Sequence, residues 1–167
     1  DIALAQNPND RERAILENDA DAASAWVRAA SFAVGIASTY AQTTGDAERS
    51  MYLGKADAVR HCLWNAYMAY MLGERRAKML ADAHELPRPP QENNSAVDRE
   101  MDLHNNEVGR LLGQTLRDDS GVVSRVFAIG FLPAAVFGRL KDGSLKVVDR
   151  SDPQNWKLVP STREDIP

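Results

Sequence analysis

Three separated stretches of this 167-residue chain carry side chains able to do chemistry. In the first, Asp57, His61 and Asn65 stand at i, i+4 and i+8, a polar stripe whose opposite face carries Val59, Leu63, Ala66 and Tyr70. A carboxylate one helical turn before an imidazole can accept its N–H. That contact would fix the tautomer and leave the other nitrogen for proton transfer or a metal. The same stripe also suits a half-buried histidine that only needs partners. In the second stretch, His84 and Glu85 close a helical segment. Neighbours on a helix point about 100° apart, so both cannot aim squarely at one point; either one acts while the other supports it, or the last turn unwinds toward Pro87. The dipole of a helix C-terminus welcomes His84 and disfavours Glu85. A charge placed against stability marks a site of function.

The third stretch is the most telling. Asp98, Asp102, Asn105, Gly109 and Gly113 recur at spacings of four, three, four and four, flanked by Met101, Val108 and Leu112. The two glycines would let another helix approach closely, and the polar residues above them would face it. Asn105 and Asn106 each cost several tenths of a kcal/mol against alanine inside a helix. Such a stripe reads as the lining of a polar cleft rather than a solvated face.

The elements that must position these groups are helices. Ala20 to about Ala41 shows apolar residues on nearly every side, the pattern of a helix at the centre of a bundle. Gly54 precedes a helix over 55–72, and Gly73 separates it from one over 74–85. Three prolines between Pro87 and Pro90 interrupt the chain. Ser95 and Asp98 then form a capping-box-like start for a helix over 96–117. A short helix is expected over Arg11–Glu17. The uncharged run Val126–Gly138 is too short to cross a bilayer as a helix. It reads as a buried helix pair bent at Gly130–Pro133, with membrane-surface contact as the other use. Lys141-Asp142-Gly143 suggests a small hairpin near 138–149, followed by an irregular tail. The expected fold is mainly α, a bundle of four or five main helices with a small C-terminal β-hairpin. It forms a single domain over 1–167, with its core at about 20–140.

Composition narrows the functions. Twenty basic residues against twenty-four acidic ones give a net charge of −4 with no basic run, so duplex nucleic acid is not an expected partner. At 44% apolar and 26% charged residues the chain is neither disordered nor membrane-spanning. The single Cys62 forms no internal disulfide. The sequence starts at Asp1 without Met or a signal-peptide pattern, so either a leader has been removed or the piece was cut from something longer. The expectation is a processed, exported protein, periplasmic or secreted.

The texts DAVRHCLWNAYMA, AHE and MDLHNNEVGR resemble a bacterial domain family of uncharacterised function. Its recurring forms are D-A-x-R-H-x-x-W-N-A, A-H-E and M-D-x-x-N-N-x-x-G-R. The resemblance covers about Asp57 to Arg110 and implies occurrence in secreted and toxin-like proteins. It also implies a set of positions: Asp57, Arg60, His61, Trp64, Asn65, His84, Glu85, Asp102, Asn105, Asn106, Gly109 and Arg110. His104 stands where the pattern favours an apolar residue, which weakens a three-histidine metal site. The arrangement around His61 is also similar to that of small secreted bacterial phospholipases A2, without their His-Asp dipeptide or paired cysteines.

Two functions are expected from this. One is a hydrolase of envelope material, lipid or phosphoester, with His61, His84, Glu85 and Asp102 catalytic. Asp57, Arg60, Trp64, Asn65, Asn105, Asn106 and Arg110 would bind substrate or support the network. A divalent ion, zinc or calcium, would sit at His61, Glu85 and Asp102. The other is a non-catalytic module that binds a protein partner, its polar network fixing only helix packing. No G-x-S-x-G, H-E-x-x-H, Walker loop or zinc-ribbon cysteine pair occurs. Four residues, His61, Glu85, Asp102 and Asn105, are expected to converge on one cleft.

Overall fold

The computed structural model describes residues 7–85, 96–119 and 125–167. Their elements are α1 (Asp10–Leu16), α2 (Ala20–Ala41), α3 (Ala47–Met51), α4 (Lys55–Leu72), α5 (Glu74–His84), α6 (Ala96–Asp119) and α7 (Arg125–Lys141), then β1 (Lys146–Asp149) and β2 (Lys157–Pro160). The fold is a helical bundle with a small two-stranded antiparallel sheet at its C-terminal end. The capping start at Ser95 lies outside the described residues.

The centre of the bundle is α4, not α2 as its sequence suggested. From Ala56 to Tyr70 every residue of α4 except Arg60 is buried, including Asp57, His61 and Asn65. α2 instead buries one face, a ridge of Ala22, Ala25, Trp26, Ala29, Ala33 and Ala37, and leaves Val27 half exposed. Small alanines bring α2 close to α4 without needing to be surrounded. Polar residues at the centre are tolerated because α4 meets a second polar stripe on α6.

That meeting depends on Gly109 and Gly113. A Cβ on Gly109 would stand 2.2 Å from the carbonyl oxygen of Cys62, and one on Gly113 would stand 2.1 Å from that of Ala66. Both pairs advance in the same direction along the chain, so α4 and α6 run parallel, with α5 making the return. Gly73, at φ +86°, ends α4 and starts α5 in one residue.

Two expectations about the C-terminal third are corrected. Residues 125–141 form one helix with Pro133 inside it, not a pair broken at Gly130–Pro133. Leu132, Val136 and Leu140 are buried on its inner face, and that packing offsets the hydrogen bond the proline cannot make. The Asp142-Gly143 signal ends this helix rather than turning a hairpin, with Gly143 at φ +80°. The hairpin lies further on, where Lys146 pairs with Pro160 and Asp149 with Lys157. Its second strand comes from the tail expected to be irregular.

Candidate functional site

Asp57 is positioned by the start of α4. Leu53 lies in the left-handed region, at φ +63°, and is fully buried. A leucine adopts that conformation only where its surroundings over-determine it. Here its N–H donates to Asp57 Oδ2 at 2.7 Å and its carbonyl accepts from Val148 N–H at 2.9 Å. Asp57 Oδ1 accepts two hydrogen bonds from the Arg60 guanidinium. Burial acts to raise the Asp57 pKa, but Arg60, His61 and the Leu53 N–H outweigh it and hold the carboxyl below its usual range.

One turn later, His61 sits between two groups of partners. Its Nδ1 is 3.2 Å from Asn106 Oδ1 and 3.7 Å from Glu85 Oε1. Its Nε2 is 3.1 Å from Asp102 Oδ1, 3.1 Å from Arg60 Nη2 and 3.6 Å from Asp57 Oδ1. The tautomer follows from the neighbours. Asn106 donates its Nδ2–H to the Glu85 carboxylate at 3.0 Å, so its Oδ1 is the atom that faces His61. That oxygen also accepts from Asn65 Nδ2 at 2.5 Å. An oxygen can only accept, so His61 carries its proton on Nδ1. Nε2 then presents its lone pair toward Arg60 and two carboxylates. Asp57 was expected to fix the tautomer; Asn106 does so instead, with Glu85 behind it.

Burial and the Arg60 charge both lower the His61 pKa and favour the neutral ring, against Asp57 and Glu85. Asp102 is pushed well above its ordinary value, first by burial and then by the charges of Asp57, Glu85 and Asp98. Its Oδ1 is buried and has no hydrogen-bond partner among the described residues. Asp98, one turn earlier on α6, is raised to about 6 by burial with Asp57 and Glu85. Desolvation and crowded like charges thus make this end of α4 and α6 costly to ionise.

The remaining predicted residues go elsewhere. Asn105 does not join the cleft: its Nδ2 donates to Lys146 O and its Oδ1 accepts from Lys146 N–H, both at 2.9 Å. Adjacent helical residues diverge, so with Asn106 facing α4, Asn105 meets the backbone of β1. His84 turns away from Glu85 to Glu12, with Nδ1 2.9 Å from Oε1. Trp64 packs edge-on to His84, ring centres 4.8 Å apart, and its indole N–H has no partner among the described residues. Arg110 is buried with Nε and Nη1 likewise unpartnered, and burial lowers its pKa against Asp82, Glu107 and Glu74. His104 hydrogen-bonds Ser144 O at 2.8 Å, away from His61.

Sequence reasoning missed Glu12. It is fully buried, accepts from Trp26 Nε1 at 3.1 Å and from Asn9 N–H at 2.8 Å, and faces His84. Burial pushes its pKa up, but His84 and the other donors outweigh burial and hold it below its ordinary value. The signal was the capping box Asn9-x-x-Glu12 at the start of α1. Nothing in that charged segment marks the acid as buried.

Asp57, His61 and Asp102 each offer a ligand atom, and these atoms lie within 4.8 Å of one another, so the group can hold a metal. Glu85 was expected among the ligands; its carboxylate stands at the other ring nitrogen. Two open surface hollows, about 710 and 540 Å³, lie at the α4–α5 turn and beside the C-terminus. No residue of the His61 cluster lines either.

A family model described as a domain of unknown function, DUF6973, matches residues 14–129. The chain belongs to this family. The DUF6973 match contains every residue of the His61 cluster and both close-approach glycines, and it ends inside α7, before the sheet. Glu12 lies just outside it. No curated protein and no solved structure matches the chain.

Proposed function

We propose that this DUF6973 domain is an exported bacterial hydrolase acting on envelope material, with a lipid or phosphoester as substrate. Its reacting group in this reading is His61. One observation carries it: Asn106 commits Nδ1, leaving Nε2 unprotonated beside Asp102 and Arg60. A neutral imidazole so held can take the proton of an attacking water. The Arg60 side chain is 31% exposed, so its guanidinium can meet negative charge developing on a phosphoryl or ester oxygen. Asp102 would orient the water, and Glu85 acts through Asn106 as a positioning residue. A divalent ion, zinc or calcium, is the assistant this chemistry would use.

The lipid substrate draws support from α7. No helix among the described residues is long and apolar enough to cross a membrane. α7 nonetheless leaves Phe127 72% and Phe131 65% exposed on one uncharged face, which suits contact with a lipid surface.

A second reading, a non-catalytic interaction module, is favoured by one feature. Asn65, Asn106 and Glu85 form a chain of hydrogen bonds deep in the bundle, which would serve helix packing alone. The deciding experiment measures release of fatty acid or phosphate from bacterial envelope lipids, with and without added zinc or calcium. Release by the wild type that falls at least about a hundredfold in His61→Ala supports the hydrolase. Equal release by both proteins, or none by either, contradicts it.

A further inference from the structure

We infer that Asp57, His61 and Asp102 form a three-ligand site for a zinc-class divalent cation, with a fourth position open to water or substrate. The inference rests on the centre of the hydrolase reading and names the ion it takes. With Nε2 holding the cation, His61 would serve as a ligand, and the activation of water assigned above to its lone pair would come from the ion.

Three observations lead there. The first is geometric. The His61 Nε2 to Asp102 Oδ1 and Asp57 Oδ1 separations are 3.1 and 3.6 Å. Zinc bonds of about 2.0–2.2 Å in tetrahedral array place ligand atoms about 3.3–3.6 Å apart, close to both His61 separations, and the three ligand atoms all lie within 4.8 Å of one another. The second is that Asp102 Oδ1 is buried, faces a nitrogen lone pair, and has no hydrogen-bond partner among the described residues. Arg60 Nη2 already stands 3.1 Å from Nε2, so it is Asp102 Oδ1 that wants a positive partner, a role a bound cation would fill. The third is charge: Asp57, Glu85 and Asp102 gather around His61 with Arg60 as the adjoining cation, an excess of negative charge that a divalent ion would neutralise.

Support around the ligands is already built. Asn106 holds the Nδ1–H of His61, and the Leu53 N–H holds the second oxygen of Asp57, as outer partners orient metal ligands elsewhere. A nitrogen ligand with two carboxylates selects a borderline ion over calcium or magnesium, which prefer six or more oxygens. Arg60 hydrogen-bonds Asp57 Oδ1 and stands against His61 Nε2, so an entering ion would have to displace its partly exposed guanidinium from both.

The test is calorimetric titration of the EDTA-stripped full chain with zinc chloride alone and with calcium chloride alone, with melting curves alongside. The expected result is one zinc per chain, a higher melting temperature with zinc, and little or no response to calcium. Asp102→Asn keeps the shape and strands no hydrogen bond, and it should weaken zinc binding at least about tenfold. His104→Ala, whose ring is turned to Ser144 O, should bind within about threefold of wild type. The inference is overturned by absence of zinc binding in folded protein, or by binding that survives Asp102→Asn and disappears in His104→Ala. Those outcomes leave metal-free hydrolysis by His61 standing, because the lipid-release assay reads it separately.

Discussion

A methyl group on Gly109 would stand 2.2 Å from the carbonyl oxygen of Cys62, and that near-contact fixes how far α6 stands from α4. It also sets the site. His61 on α4 and Asp102 and Asn106 on α6 can touch only because the helices meet backbone to backbone just beyond them. The atoms in the way are main chain, so no side chain can move aside. Gly109→Ala should therefore force the helices apart and cost about 3 kcal/mol or more, at the upper end of overpacking. Urea denaturation measures this, and a loss under about 1 kcal/mol would show that the helices separate freely.

Glu12 ties α1 to α2 and α5 through Trp26 and His84. Glu12→Gln keeps the size but removes the charge that faces His84, which should cost about 2 kcal/mol, or several degrees of melting temperature. The sign with pH is set by its lowered pKa. A depressed carboxylate stabilises above its unfolded value and loses that contribution as pH falls through its folded value. The gap between wild type and Glu12→Gln should be full at pH 7 and shrink below about pH 4. A gap that stays constant into acid would show that the charge contributes nothing.

Much of this arrangement was legible in the sequence because period and spacing are local properties. The span 55–72 between Gly54 and Gly73 is the observed α4, and Gly109 and Gly113 do allow close approach by a neighbouring helix. What the sequence hid was three-dimensional choice. Asn105 and Asn106 look alike as text, yet one meets the backbone of β1 and the other locks His61. Ala20–Ala41 looked more central than α4 because hydropathy cannot show that two polar stripes will bury each other. The Asp142-Gly143 turn was visible, but whether it closed a hairpin or ended a helix depended on Leu140 and Leu145 reaching the core.

A functional centre at His61 implies a cluster held together at the expense of stability. The most direct measurement is the melting temperature of Asp102→Asn against wild type in EDTA, at pH 8 and at pH 4. Asp102 has a raised pKa, so the folded wild type loses stability as pH climbs from the unfolded value to the folded one. Replacing its charge should raise the melting temperature at pH 8 by a few degrees, about 1 kcal/mol, and change little at pH 4. A variant that melts several degrees lower at pH 8 would contradict the account and make the cluster a structural network.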